Sequence, residues 1–234
     1  MLQFFSKYKP LLWTMLPLSA VILFIFYTLL KPVERLPVYQ PTMVDRTLVD
    51  STVQFVKKYH KIAPFTLINQ NGDTITEAHY ADKIYVADFF FTTCQSICPV
   101  MTDHMLDIQK ELAADTLVKL LSHTVIPETD SVPQLKKYAL DKGIDESKWD
   151  LVTGPKKEIY ALARKSYLAA KSEGDGGPYD MIHTENFMLI DKEKRIRGFY
   201  DGTDAEAIAT LLKDIAILKK EYQPEPSWWE RWFG

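Results

Sequence analysis

The chain has 234 residues, 47% of them hydrophobic and 25% charged, with a net charge of −3 and a pI near 6.0. That length supports one well-packed domain plus a further segment, and the charge balance excludes the basic footprint of a nucleic-acid binder. Only two cysteines occur, Cys94 and Cys98, which excludes a disulfide framework and leaves redox chemistry, metal binding or simple packing.

Beyond a short amino-terminal segment (1–10), residues 11–30, LLWTMLPLSAVILFIFYTLL, carry no charge and predict a transmembrane helix. At 1.5 Å per residue, twenty residues span about 30 Å, the thickness of the hydrocarbon layer. Trp13 and Tyr27 lie near its ends, where amphipathic rings favour the interface. A cleaved signal peptide would have a shorter apolar core and a small-residue cleavage site; KPVERLPV follows instead, so an uncleaved anchor is expected. Lys7 and Lys9 before the span and Lys31, Arg35 and Arg46 after it leave its orientation open.

Residues 31–50, with Pro32, Pro37 and Pro41, read as an extended linker leading to a folded domain over 51–222. Within 65–76, Asn71-Gly72 between apolar flanks predicts a hairpin. The nearly continuous apolar run 84–91, IYVADFFF, predicts a central strand covered on both faces. A helix is expected over 99–113, with Met101, Met105, Leu106, Ile108 and Leu112 in the core, and a strand over 117–126. Ser131 is placed to cap a helix running to about Leu140 and closed by Gly143; another helix is expected over 155–170. After the glycine-rich loop 173–180 come strands 185–191 and 196–202, then an amphipathic helix over 204–220 with Ile208, Leu211, Leu212, Ile215 and Leu218 inward. Strands alternating with helices and closing on a hairpin and a helix predict an α/β domain with a mixed central sheet, in the order of a thioredoxin-like fold.

The stretch 88–101, DFFFTTCQSICPVM, carries the chemistry. Cys94 falls in the loop leaving the central strand and Cys98 at the start of the next helix, a spacing that brings both sulfurs to one side of the first turn. Unpaired N–H groups and the helix dipole there favour thiolate, the form that attacks disulfides and binds soft metals. Pro99 suits the first helical turn. Two buried, inert cysteines are the plainer alternative. Three residues rather than two between the thiols departs from the usual redox spacing, yet a Cys94–Cys98 disulfide stays open, as does a metal site. Two thiolates suit Cu(I), and an added imidazole makes a three-coordinate site that also accepts Cu(II).

Five histidines offer that imidazole. His60 and His79 are expected to be solvated, His104 lies on another face of the helix after Cys98, and His123 lies within a strand. His183 stands out, because in a thioredoxin-like fold the loop before strand 185–191 packs against the reactive cysteines. Its position leaves a ligand role and a structural role equally open. Met101 and Met105, at helical spacing, belong to the core.

DFFFTTCQSICPVMT, TVIPETDSVPQLKKYA, WDLVTGPKKEIYALARKSY and IHTENFMLIDKEKRIRGFYDGT together resemble the Sco/SenC family of copper-binding assembly proteins over residues 62–218. The resemblance implies a thioredoxin-like domain on one membrane helix, with the amino terminus in the cytoplasm or matrix and the domain in the periplasm or intermembrane space. It implies copper held by Cys94, Cys98 and His183. It also implies delivery of copper, or of reducing equivalents, to the copper-bearing subunit of cytochrome c oxidase and its dinuclear centre. Many relatives have an Asp where this chain has Ile126, and some have one where it has Ile182; neither position is a primary ligand, but both bear on how His183 is oriented.

A metallochaperone is therefore the leading expectation, with loop 173–180 either carrying His183 on and off the ion or serving as an ordinary surface loop. A thiol–disulfide oxidoreductase, which would not need His183, is the main alternative. A peroxiredoxin-like enzyme built on Thr92-Thr93-Cys94 lacks the arginine that usually accompanies such a cysteine. The tail 223–234, with Trp228, Trp229, Trp232 and Phe233, suits docking on the bilayer or a partner, or packing back on the domain.

Overall fold

The structure, a computed structural model, describes residues 9–30, 34–170, 177 and 181–224. The glycine-rich loop apart from Gly177, and the Trp-rich tail from residue 225 onward, lie outside the described residues. The chain divides into two compact units, Met1–Arg35 and Leu36–Gly234.

In the first unit the uncharged stretch forms helix α1, Lys9–Leu30, of 22 residues, with Pro17 inside it. Trp13, Leu16, Leu23 and Phe24 on it are exposed. Several side chains at its two ends lie outside the described residues, and among the described residues no helix is long and apolar enough to cross a membrane.

The second unit is built on a seven-stranded sheet. Its strands are β1 (Thr66–Asn69), β2 (Thr74–Thr76), β3 (Ile84–Phe90), β4 (Val118–Thr124), β5 (Trp149–Thr153), β6 (Asn186–Ile190) and β7 (Ile196–Asp201), in the spatial order β2-β1-β5-β4-β3-β6-β7. β3, β4 and β5 run parallel, while β1, β2, β6 and β7 pair antiparallel, so the sheet is mixed. β3 sits between β4 and β6, and every one of its residues is buried, as its unbroken apolar run requires. The β1–β2 hairpin turns at Gly72, whose φ of 85° is the left-handed conformation glycine adopts without penalty.

Helices α2 (Cys98–Glu111), α3 (Val132–Lys142), α4 (Lys156–Ala161) and α5 (Ala205–Glu221) complete the domain. Met101, Met105 and Ile108 from α2 and Leu211, Ile215 and Leu218 from α5 pack with Phe90, Leu120 and Phe187 on one face of the sheet. Ile159 and Tyr160 from α4 pack with Phe89, Leu121 and Met188 on the other. The α2 core matches the expected residues, except that Leu106 and Leu112 are only partly buried.

Several local expectations need correction. Residues 36–50, expected as linker, are part of the domain. Tyr39 N donates to Ile196 O, Arg197 donates to Leu36 O and Pro37 O, and short 3-10 turns at Pro41–Met43 and Arg46–Leu48 cover the sheet with Val49 buried. The helix expected over 155–170 ends at Ala161 and widens into a π turn, Leu162–Ser166, before Leu168 adopts a φ of 54°. Strand β5 is not among the elements the sequence predicts. Ser131 does occupy the position before α3, but its side chain makes no capping bond; Gly143 closes the helix at φ 74° as expected.

Candidate functional site

The site grows from the carboxyl end of β3. As the strand ends, the chain turns back, with Cys94 N donating to Phe91 O at 3.3 Å. The turn is braced from below by Asp130, wholly buried in the loop between β4 and α3. Its carboxylate accepts from Thr92 N (3.1 Å), Thr92 Oγ1 (2.6 Å) and Thr124 Oγ1 (2.5 Å), and Gln134 Nε2 donates to Thr92 Oγ1 at 3.1 Å. Three donors on one buried carboxylate fix the backbone just before the first cysteine.

α2 then starts at Cys98, with Pro99 in its first turn and no side-chain cap from Ile97. At this uncapped start, the backbone N–H groups of Ser96 and Cys98 favour the thiolate of Cys94. Cys94 is partly exposed, Cys98 is buried, and both are free thiols. Burial opposes ionisation of Cys94, but hydrogen bonds from the Cys98 thiol, from Ser96 (Sγ–Oγ 3.5 Å) and from backbone N–H groups outweigh it and lower the thiol to about 7. Burial pushes Cys98 up to about 12, and its role as donor to Cys94 adds to the rise. The pair is thus a part-exposed, readily ionised thiol and a buried thiol held protonated.

Facing them, the segment leading into β6 seats Ile182 in the core and leaves His183 exposed. Cys94, Cys98 and His183 line one small cavity of about 60 Å³, floored by Phe89 and Val125 and flanked by Ile182. The expected trio is therefore brought to one cavity. It is not drawn into a finished coordination sphere: among the described residues, no three His, Cys, Asp or Glu side chains stand close enough together to hold an ion. The donor set itself, two soft sulfurs and one imidazole, is chemically suited to copper.

The other histidines are occupied elsewhere. His60, expected to be solvated, is buried, with Nε2 at 2.7 Å from Ser166 O; burial holds it below its usual range. His79 is exposed, as expected, and accepts from Thr76 N at 3.0 Å. His104 Nδ1 donates to Gly202 O at 2.8 Å. His123 is wholly buried against Phe89, Phe65 and Tyr167, and burial lowers it to about 4, so it packs as a neutral ring.

One contributor to the site escapes sequence reasoning: Asp130, whose partner Thr92 lies 38 residues away. Asp88, buried in β3, is also hidden from it; burial raises its carboxyl to about 7, and its Oδ1 has no hydrogen-bond partner.

A dithiol at the turn between the central strand and the next helix of a mixed sheet, faced by the loop before an antiparallel strand, defines a thioredoxin-like thiol protein. More specifically, the chain belongs to the SCO1/SenC family, whose profile matches residues 54–218. It is similar to the SCO1 protein homolog of Bacillus subtilis, 34% identical over 158 residues, spanning 67% of this chain and 81% of the relative. Among solved structures it is similar to BsSco, described as a member of the Sco family of cytochrome c oxidase assembly proteins with a disulfide switch. That match is 32% identical with a TM-score of 0.58, over 68% of this chain and 93% of the other. It is also similar to Bradyrhizobium japonicum ScoI, solved with copper bound. There the identity is 25% and the TM-score 0.53, over 67% of this chain and 98% of the other.

Proposed function

We propose that this protein is a copper metallochaperone that carries one copper ion on Cys94, Cys98 and His183 and assists assembly of the dinuclear copper centre of cytochrome c oxidase. The observation that carries the reading is the single small cavity lined by those three side chains. Two thiolates hold Cu(I) in near-linear geometry, and an imidazole on the opposing segment adds the harder donor that Cu(II) prefers. An exposed His183 and a part-exposed Cys94 favour exchange, because an incoming ligand from a client can displace them stepwise while buried Cys98 keeps its hold. The copper-bound relative and the relative described as an oxidase assembly protein support the same reading.

On this reading residues 11–30 anchor the chain as a single membrane span. The amino terminus lies inside, and the domain faces the periplasm, or the intermembrane space if the protein is mitochondrial. The uncharged sequence and helix α1 over Lys9–Leu30 support the span.

A second reading, thiol–disulfide exchange on cysteines of the oxidase subunit or another exported protein, is favoured by one observation. A thiol near 7 beside a buried partner thiol is the arrangement for attack and resolution. His183→Ala separates the two. The chaperone reading expects weakened Cu(II) binding, largely retained Cu(I) binding and failed oxidase assembly, with the thiols still able to form a disulfide. Lost copper affinity with normal oxidase assembly would favour the reductase.

A further inference from the structure

At the end of the sheet opposite the dithiol, the segment 55–61 and the turn between β6 and β7 form a cationic surface with exposed aromatic rings. Ile62 N donates to Lys194 O at 2.8 Å, joining the two segments. Two open depressions, of about 640 and 400 Å³, border it and share Tyr59, His60, Lys61 and Glu193. Within it Arg195 is neutralised by Asp191 and Glu193, and Lys194 reaches Glu77 at 3.7 Å. Lys57, Lys58 and Lys61 are exposed and have no carboxylate partner among the described residues. On a chain of net charge −3, this is a local excess of positive charge.

The rings are as unusual as the charge. Tyr59 is 90% exposed at a φ of 66°, and Phe55 is 74% exposed. A bulky residue in the left-handed region is strained and persists only where its surroundings impose it. Here they do: His60, next in sequence, is fixed by bonds from its N–H to Gln40 Oε1 and from its ring to Ser166 O. The fold thus strains the backbone to hold an aromatic ring in water, where packing gains nothing. An amphipathic tyrosine and an apolar phenylalanine beside unpaired lysines are a composition that partitions to a phospholipid interface.

The chain path indicates which surface meets it. Val38 lies in the same depression as Lys57, Lys58 and Arg195, just beyond Leu36, which is pinned to Glu221 and Arg197. Only residues 31–35 separate Leu36 from the end of α1 at Leu30, a reach of at most about 20 Å.

We propose that this surface docks the domain on an anionic phospholipid bilayer through Lys57, Lys58 and Lys61, with Tyr59 and Phe55 in the headgroup layer. The proposal rests on the membrane-anchor reading of residues 11–30. Docked this way, β3 stands between the bilayer and Cys94, and its seven residues hold the dithiol about 20 Å off the membrane, open to a client.

The test uses the full chain in nanodiscs of phosphatidylcholine alone or with one-third phosphatidylglycerol, and follows lysine acetylation by a water-soluble reagent. Lys157, exposed at the dithiol end, is the control. In anionic discs at low salt, Lys57, Lys58 and Lys61 should react about tenfold more slowly than in neutral discs, recovering in high salt. Lys157 should be unchanged. In the Lys57→Gln/Lys61→Gln variant, Lys58 should lose most of its protection. Equal reactivity in both discs overturns the docking while the anchor stands. Protection by added polyglutamate but not by phosphatidylglycerol assigns the surface to an acidic protein and also overturns it. A chain that does not co-elute with discs overturns the anchor, and the docking with it.

Discussion

Part-exposed Cys94 and Cys98, buried at the start of α2, line the same small cavity, and their interaction lowers the first thiol while it raises the second. That asymmetry gives the site a direction. On the proposed reading, Cys94 is the sulfur a client or oxidant meets first, and Cys98 is the one that holds copper longest.

Reactivity should follow that asymmetry in the reduced, metal-free protein. Cys94 is depressed to about 7, so its thiolate is present above that pH and lost as pH falls through it. Iodoacetamide, with modified sites read by mass spectrometry, should label Cys94 first, at a rate half-maximal near pH 7. Cys98, pushed up to about 12, should stay unlabelled at neutral pH. Preferential labelling of Cys98 would reverse the assignment of roles.

Asp130→Ala should loosen the site without touching a sulfur. It strands Thr92 N and two hydroxyls that now donate to a buried carboxylate. A loss of about 3 kcal/mol in urea unfolding is expected, together with weaker copper binding. Unchanged stability would mean that the Cys94 turn does not depend on this brace.

Arg197 tests the part of the domain formed by residues 36–50. Its buried guanidinium joins Asp191, Glu221 and the carbonyls of Leu36 and Pro37. Arg197→Ala leaves Glu221 without its cation and the carbonyls of Leu36 and Pro37 without a donor, while Asp191 keeps Arg195, and should cost about 3–5 kcal/mol in urea unfolding. Limited proteolysis should then cut first within 36–50. A near-neutral result would return that segment to the status of a linker.

What the sequence makes legible and what it hides have separate physical causes. β3, the Gly72 hairpin and the start of α2 at Cys98-Pro99 are each set by neighbouring residues, through an apolar run, a left-handed turn and a proline that tolerates the first turn. The burial of His60 depends on Ser166, 106 residues away, and that of Asp130 on Thr92, so no local pattern announces either. β5 is short and carries Asp150 at its second position, and it becomes a strand because β1 and β4 pair on either side of it. His183 was distinguished by its place before β6, which is why sequence could nominate it while its approach to the thiols needed the fold.

The most direct measurement is copper stoichiometry on the full chain purified anaerobically in detergent, for the native protein and for Cys98→Ser. The account predicts about one Cu(I) per chain for the native protein and loss of most binding in the variant, because the buried thiolate is the ligand that exchange leaves for last. Full stoichiometry with unchanged affinity in Cys98→Ser would contradict it.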